Sequence, residues 1–260
     1  MKTKILIHIA KENEYISFIQ NLNSSISDNE EIVPVSVHGN LFELCYANKP
    51  NILILPAHEY TQEFHDFISE NSQNIKVIIF VNIEIKNAQL IEYWNLNKIT
   101  LAGKKRYLGS ESENGLLYDK LYDSNIFTKI LADQPRNNKI AVMLSEDNEK
   151  NNALIGPLLY PYTNERLVLF NSATYNPPQN VGTLNQQDAC LILNSYQYLI
   201  DLDDKYSIEA QVCGIDNIKI EDDIPSNIAN KILKTKDYDL DTSSFKYYVQ
   251  NQFLPTILKG

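Results

Sequence analysis

The chain has 260 residues, with 33 acidic and 23 basic side chains and a net charge of −10 at pH 7. This acidic excess argues against a nucleic-acid partner, because binding to a phosphate backbone needs a basic surface. No apolar run approaches the roughly 20 residues that a membrane-spanning helix requires, so we expect no transmembrane segment. Its cysteines (Cys45, Cys190 and Cys213) are odd in number and widely spaced, which is typical of a reducing compartment, and we expect a cytoplasmic protein.

Runs rich in Ile, Val and Leu alternate with helix-like patterns along the whole chain. In the first half the pattern predicts strands at 4–9, 31–37, 51–55, 76–81 and 99–101, and helices at 15–26, 41–47, 59–69 and 88–96. In the second half it predicts strands at 139–144, 166–170, 189–193 and 198–202, and helices at 152–160 and 206–213. Such alternation indicates an α/β fold with parallel sheets covered by helices, here as two tandem Rossmann-like domains with an interdomain cleft.

The pattern weakens over 109–138, a polar stretch that contains Gly115 and Pro135, and we place the domain boundary there. The first domain then covers 1–133 and the second 134–240. A last segment, 241–260, includes an amphipathic helix over 245–258 that we expect to be interrupted at Pro255. Just before the boundary lies a small basic cluster, Lys104, Lys105 and Arg106, which we expect on a solvated face.

Three of the four histidines, His8, His38 and His58, lie at or just past the carboxyl ends of the first three predicted strands. In a doubly wound sheet that edge is where ligands bind. An imidazole ordinarily titrates near neutrality and can act as a general base for a hydroxyl group. Solvated or capped turn histidines are the competing interpretation. We favour His58 as a catalytic base because Glu59 follows it and can orient its ring.

The stretch 198–214 carries the most informative pattern: an apolar strand, a group of acids, and a helix that stops at Gly214. Asp201 and Glu209 therefore bracket the place where a nucleotide would lie at the carboxyl edge of a parallel sheet. The pair Asp201 and Asp203 also has the D-x-D spacing that holds a divalent cation on a diphosphate. Acids in a solvated turn before a helix are the simpler interpretation, and we expect no metal.

The sequence contains few residues suited to binding a phosphate or to acting as a thiol nucleophile. Lys150 precedes the predicted helix at 152–160, where a lysine and backbone N–H groups can hold a phosphate. Neither G-x-G-x-x-G nor a Walker sequence occurs in the chain, which argues against an NAD-dependent dehydrogenase or a P-loop enzyme. Cys213 lies on an apolar helical face and is expected to be a small buried residue rather than a nucleophile.

The spacing from Asp201 over seven residues to Glu209, followed by Ala210, Cys213 and Gly214, resembles the E-x7-E and A-x-x-C-G-x-P motifs of retaining GT-B glycosyltransferases. These enzymes are built from two facing Rossmann-like domains. By this resemblance Glu209 would bind the ribose hydroxyls of a nucleotide sugar, and Asp201 would lie near the donor sugar with a catalytic role. The helix start at Tyr206 and Ser207 would face the diphosphate, and Glu149-Lys150 resembles the E-K that supplies a phosphate-binding lysine.

The resemblance implies that 1–133 binds the acceptor, with His8 and His38 as acceptor-side candidates, and that 134–240 binds the nucleotide sugar. The segment 241–260 resembles a final helix that crosses back to the N-terminal domain. The implied reaction moves a sugar to a hydroxyl of a glycan, lipid carrier or protein, without a cofactor or divalent metal. Three alternatives stay open: a D-x-D transferase that uses Mn or Mg, a two-domain protein that binds a small ligand, and a noncatalytic transferase subunit.

Overall fold

The computed structural model describes residues 2–9, 13–27, 32–71, 75–97, 99–108, 115–130, 136–143, 167–170, 185–201, 206–217 and 238–259. The chain divides into two compact units. Unit 1 comprises Met1–Leu121 and Ser244–Gly260, and unit 2 comprises Tyr122–Ser243. None of the described helices has the length and apolar character that crossing a membrane would require.

Unit 1 is built on a parallel sheet of six strands in the order β2-β1-β3-β4-β5-β6. The strands are β1 (Thr3–His8), β2 (Ile32–Val37), β3 (Ile52–Pro56), β4 (Lys76–Val81), β5 (Thr100–Lys104) and β6 (Gly115–Tyr118). In this order the winding of the chain reverses between β1 and β3. That reversal is the switch point at whose carboxyl edge doubly wound sheets bind ligands.

Helices cover both faces of this sheet, and asparagine side chains begin two of them. They are α1 (Asn13–Ile26), α2 (Leu41–Asn48), α3 (Gln62–Asn71) and α4 (Ala88–Leu96). Asn40 accepts a hydrogen bond from the N–H of Phe42, and Asn87 accepts one from the N–H of Gln89. These N-caps satisfy amide groups that the first helical turn leaves without a partner.

The strands place successive side chains on opposite faces, which gives unit 1 two hydrophobic cores. On one face Phe18 of α1 packs against Phe80 and Phe253, with ring centroids 4.7 and 4.9 Å apart. The opposite core lies under α2, α3 and α4 and contains the fully buried Trp94. Phe253 comes from the C-terminal end of the chain, so that segment is part of the core of unit 1.

The chain stays helical to its end, but the α-helical hydrogen-bonding pattern changes directly before Pro255, where the sequence predicts an interruption. The helix runs through Phe245–Tyr248, a π-helical segment Val249–Phe253, and Leu254–Leu258. Pro255 lies in the first turn of the last segment. Proline is tolerated at that position because the missing N–H is not needed there.

Unit 2 contains a parallel sheet of four strands in the order β10-β9-β7-β8. The strands are β7 (Asn137–Met143), β8 (Leu167–Phe170), β9 (Tyr196–Asp201) and β10 (Asp216–Asn217), and the described helices are α5 (Gln186–Ser195) and α6 (Ser207–Cys213). The helix predicted at 152–160 lies outside the described residues. The core of unit 2 joins Ala141 and Met143 of β7 to residues of both helices.

The strand predicted at 189–193 is wrong, because this stretch forms the middle of α5. Its apolar run is short enough to fit either a strand or a helix. The side chain of Asn185 starts the helix by accepting the N–H of Asp188 at 2.8 Å. Ala189, Cys190 and Leu193 are buried whereas Leu191 is 56% exposed, which is the one-sided burial of a helix.

The polar stretch 109–138 contains a strand that the sequence analysis did not predict. β6, with the sequence GLLY, pairs with β5 and completes the sheet of unit 1. Four residues are too few to show a strand period, and the flanking polar residues concealed the strand. β5 itself runs on to Lys104, beyond the predicted end at residue 101.

A single arginine ties the ends of both helices of unit 2 to its sheet. The Arg136 guanidinium donates to the carbonyl oxygens of Leu193 at 3.4 Å, Tyr196 at 3.3 Å and Cys213 at 2.5 Å. Cys213 is the last residue of α6, and Leu193 lies in the last turn of α5. The guanidinium therefore satisfies carbonyls that helix ends leave open, and its positive charge suits the negative end of each helix dipole.

Replacing Arg136 by methionine should destabilise unit 2. Hydrogen bonds to a charged group contribute about 1.5–3 kcal/mol each, and several are lost together, so we expect the free energy of unfolding to fall by about 2–4 kcal/mol. Urea titration followed by far-UV circular dichroism measures the change. The exposed Arg106→Met is the matched control and should stay within about 0.5 kcal/mol of the parent. An Arg136→Met variant as stable as this control would contradict the capping role.

Candidate functional site

The carboxyl edge of the sheet in unit 1 carries the three histidines singled out in the sequence. His8 is the last residue of β1, His38 directly follows β2, and His58 lies in the 3₁₀ turn Ala57–Glu59 after β3. Because β2, β1 and β3 are neighbours in the sheet, these positions lie along one edge, at the switch point. Their predicted placement at strand ends is confirmed. Contact with a substrate stays a prediction for each of them.

His58 is the histidine whose surroundings best suit proton transfer. Its Nε2 lies 3.5 Å from Oε1 of Glu59, and the two side chains are 35% and 38% exposed. The carboxylate lies close enough to orient the ring. A partly exposed imidazole beside a carboxylate can therefore accept a proton from a bound hydroxyl group.

His8 and His38 differ sharply in exposure. His8 is only 6% exposed, and its Nε2 lies 3.2 Å from the carbonyl oxygen of Gly39. Its Nδ1 is buried and finds no hydrogen-bond partner among the described residues. His38 is exposed. His8 therefore holds the turn after β2 in place, whereas His38 is available to a ligand at the surface.

A mostly buried ion pair occupies the same edge on the other side of the switch point. Nζ of Lys104, at the end of β5, lies 2.8 Å from Oε2 of Glu14 in the first turn of α1. The Tyr118 hydroxyl, at the end of β6, donates to Oε1 of Glu14 at 2.9 Å. Burial raises the pKa of Tyr118 well above its usual value, and the Glu14 carboxylate adds to this effect, so the phenol stays protonated as the donor.

We call Glu14, Lys104 and Tyr118 the sheet-end cluster. The expectation of a solvated basic face is wrong for Lys104, whose side chain is only 16% exposed because it pairs with Glu14. Lys105 and Arg106 are exposed, as expected. This cluster could not be seen in the sequence, because Glu14 lies about a hundred residues before Lys104 and Tyr118 and only the fold brings them together.

Asn82 directly follows β4 at the same edge and was also missed in the sequence. Its Nδ2 and Oδ1 are both buried and make no hydrogen bond to the described residues. A buried amide without partners costs free energy, on the order of 1–3 kcal/mol, so such a group calls for an explanation. A polar residue directly after an apolar strand was the available signal, the same one that singled out the histidines.

The donor-side candidates lie in unit 2. Asp201 ends β9, where its backbone pairs with Met143, and Glu209 lies half-buried in the first turn of α6. Tyr206 and Ser207 are 5% exposed each, and the Ser207 hydroxyl donates to the Tyr238 hydroxyl at 3.3 Å. The ligand contacts proposed for these four residues stay predictions.

Two further positions of the sequence analysis, Lys150 and Asp203, lie outside the described residues. Within the described part of the chain, no group of three or more His, Cys, Asp or Glu side chains is arranged to hold a metal ion.

Cys213 is fully buried in the core of unit 2, and its thiol lies 3.8 Å from the carbonyl oxygen of Thr128. Burial raises the pKa of this thiol to about 12, with neighbouring Cys190 adding to the rise. The thiol therefore stays protonated at neutral pH. Because only the thiolate is a good nucleophile, Cys213 is not suited to nucleophilic catalysis. The expectation that Cys213 is a small buried residue is confirmed.

No family model matches the chain, and no curated protein matches its sequence. Among solved structures, a provisionally named UDP-N-acetylglucosamine 2-epimerase from Listeria monocytogenes is similar with a TM-score of 0.57 at 11% identity, over 99% of this chain and 96% of that one. The UDP-GlcNAc 2-epimerase from Methanocaldococcus jannaschii is similar with a TM-score of 0.55 at 9% identity, over 100% of both chains.

A third structure, MnaA of S. aureus with UDP, has a TM-score of 0.49 at 11% identity and covers 83% of this chain and 78% of its own. The likeness of fold rests on the first two structures, whose TM-scores exceed 0.5. At these identities the likeness concerns the fold alone. The chain has the predicted α/β fold: two tandem Rossmann-like units of the GT-B-like type.

Proposed function

We propose that the protein is an enzyme that acts on a nucleotide sugar and transfers the sugar to a hydroxyl group. The observation that carries this proposal is the position of Asp201 and Glu209 within a GT-B-like fold. Asp201 ends a parallel strand, and Glu209 follows in the first turn of the next helix. Both structural neighbours with TM-scores above 0.5 are named for an activity on a UDP-linked sugar, which supports the same substrate class.

On the donor side, the Glu209 carboxylate would accept hydrogen bonds from the two ribose hydroxyls. A carboxylate offers two acceptor oxygens, which matches a pair of adjacent hydroxyl donors. Lys150 would supply positive charge to the diphosphate, and Asp201 would lie near the sugar. The chain itself would then neutralise the leaving group as charge develops on it.

On the acceptor side, His58 would remove the proton from the attacking hydroxyl. The freed oxygen forms a bond to the anomeric carbon, and the bond from that carbon to the diphosphate oxygen breaks, with its electron pair leaving on the nucleoside diphosphate. The proton stays on His58, whose ring lies 3.5 Å from the Glu59 carboxylate. Acceptors in this proposal are glycans, lipid carriers or proteins.

Epimerisation of a nucleotide sugar is the second candidate reaction, because the names of the structural neighbours favour it. The two reactions differ in what they need. An epimerase converts the nucleotide sugar without an acceptor, whereas a transferase consumes donor and acceptor together and releases a nucleoside diphosphate.

Turnover of UDP-, GDP-, CDP- and ADP-linked sugars, followed by NMR with and without a mixture of glycoside acceptors, separates these reactions. Diphosphate release that depends on acceptor supports transfer, and a new sugar epimer without acceptor supports epimerisation. A rate unchanged by EDTA argues against the D-x-D alternative. Binding without any product would support a ligand-binding protein or a noncatalytic subunit.

Glu209→Gln should weaken binding of the cognate nucleotide. The substitution removes the charge from two hydrogen bonds, so we expect the dissociation constant to rise about 10- to 100-fold while the melting temperature without ligand stays unchanged. Isothermal titration calorimetry measures the affinity. Glu92→Gln, at an exposed position of α4, is the matched control and should bind like the parent. Equal affinity in the Glu209→Gln variant would remove Glu209 from the nucleotide site.

A further inference from the structure

Asn82 differs from the other described polar residues at the carboxyl edge of unit 1. His8, Lys104 and Tyr118 each have a polar partner, but neither polar atom of the Asn82 amide has one among the described residues. The amide has one acceptor oxygen and an NH₂ group that donates. Native proteins rarely leave such a pair unused, and a functional role is one of the explanations for those that do.

The register of the sheet brings the carboxyl ends of β3 and β4 together, and His58 and Asn82 follow these two ends. Pro56 of β3 pairs with Phe80 of β4, and His58 and Asn82 each lie two residues further along their chains. The turn Ala57–Glu59 and β4 contact each other. Neighbouring strands lie about 4.8 Å apart, a spacing that a sugar ring with its hydroxyl groups can span from one strand end to the next.

Successive side chains of a strand lie on opposite faces of the sheet, and this spacing puts Asn82 on the same side as the sheet-end cluster. Phe80 and Ala102 belong to the core under α1, and Asn82 and Lys104 each lie two residues beyond them. In that cluster the charge of Lys104 is balanced by Glu14 at 2.8 Å, while Tyr118 and Asn82 are neutral. The sheet-end cluster and Asn82 together therefore carry no net charge, which suits a neutral ligand better than a phosphate.

We propose that Asn82 binds the hydroxyl groups of a neutral sugar beside His58 and thereby selects a carbohydrate as the acceptor. This rests on the proposed function, because it assigns the acceptor of that reaction. Two adjacent sugar hydroxyls complement a carboxamide, since one donates to Oδ1 while the other accepts from Nδ2.

Turning towards the ligand breaks no hydrogen bond for Asn82. Its amide atoms are buried, whereas the residue as a whole is partly exposed. The amide has no partner to lose among the described residues, and it would gain two from the sugar.

The test is binding of methyl glycosides of glucose, galactose, mannose and N-acetylglucosamine, measured by saturation-transfer NMR. We expect the parent protein to bind at least one of them, with about tenfold or greater weakening in Asn82→Leu. This variant keeps the side-chain volume but removes two unpaired polar atoms, so its melting temperature should equal or exceed that of the parent. Asn82→Asp, which replaces the NH₂ donor by a charged acceptor oxygen, should also weaken binding and serves if the leucine variant does not fold.

The matched control is Asn97→Leu. Asn97 lies at the end of α4, and its amide donates to the carbonyl oxygen of Tyr93 at 2.8 Å. This variant should melt slightly earlier than the parent and bind the glycoside equally well. The opposite pattern, a lower melting temperature with unchanged glycoside binding in Asn82→Leu, would make Asn82 a structural residue and overturn the proposal.

A parent protein that binds none of the four glycosides also overturns it. Turnover of nucleotide sugars is scored separately on the parent. If the protein turns over a nucleotide sugar and the KM for the acceptor is the same in Asn82→Leu as in the parent, the role of Asn82 is rejected and the proposed function stands. Glycoside binding lost in Asn82→Leu, without turnover of any nucleotide sugar, supports the sugar site and rejects the proposed function.

Discussion

Gly103→Ala is expected to lower the free energy of unfolding of unit 1 by about 3–5 kcal/mol, combining backbone strain with a clash in a packed region. Gly103 has a φ of +119°, and a Cβ there would lie 2.5 Å from the carbonyl oxygen and 2.9 Å from the nitrogen of Val81. Both contacts are to backbone atoms of β4, the strand that pairs with Gly103. Relief would therefore require β4 and β5 to separate.

The separation would also displace the residues on either side. Lys104, next in β5, would move away from Glu14, and Asn82, next after Val81, would move away from the edge. Urea unfolding followed by the fluorescence of Trp94, the single tryptophan of the chain, reports on unit 1 directly. We expect the transition midpoint to shift far below that of the parent.

Gly214→Ala is the matched control, and its urea unfolding is followed by far-UV circular dichroism because Gly214 lies in unit 2, away from Trp94. Gly214 also has a positive φ, +72°, but the nearest atoms to an added Cβ belong to the flexible side chain of Lys129, at 3.5 Å. Only the left-handed backbone is then penalised, at about 1–2 kcal/mol. A Gly103→Ala variant that loses no more stability than Gly214→Ala would show that β4 and β5 can adjust, and the tight approach would not be a constraint on the fold.

His58→Gln is expected to reduce the rate of sugar transfer about 10²- to 10⁴-fold, the usual contribution of a positioned general base. The side chain is about one third exposed on a short turn, so the melting temperature and nucleotide affinity should stay at the parent values.

His65→Gln is the control for the histidine substitution. His65 lies on α3, where its ring nitrogens contact the hydroxyls of Tyr60 at 2.5 Å and Ser69 at 3.1 Å, so it is committed to structure. We expect this variant to lose some stability and to keep its rate. Undiminished transfer by His58→Gln would exclude His58 as the base and direct attention to the exposed His38 after β2.

The strands of unit 1 could be predicted because their signal is local. β4 is an apolar run buried on both faces, and its observed limits, Lys76–Val81, agree with the predicted ones. Helix α4 agrees equally well, since an asparagine N-cap begins it. The apolar run at 189–193 was misassigned because five residues do not distinguish a strand from a helix, and only its burial in the fold decided the outcome.

The candidate site was predictable in part for the same reason. A histidine at the end of an apolar run can be placed on the sheet edge from sequence alone, as His8, His38 and His58 show. The pairing of Glu14 with Lys104 and Tyr118 could not be foreseen, because it depends on the strand order β1-β3-β4-β5-β6. The unpaired amide of Asn82 could not be foreseen either, because the sequence does not show which side chains lack a hydrogen-bond partner.

The most direct test of the central claim is a thermal-shift screen of the whole chain against UDP, GDP, CDP, ADP and their sugar conjugates. A ligand that binds only the folded protein stabilises it by about 2.7 kcal/mol at a concentration one hundred times its dissociation constant. We expect one nucleotide and its sugar conjugate to raise the melting temperature of the parent protein and to leave that of Glu209→Gln unchanged. No rise with any of them at millimolar concentration would contradict the claim that this protein acts on nucleotide sugars.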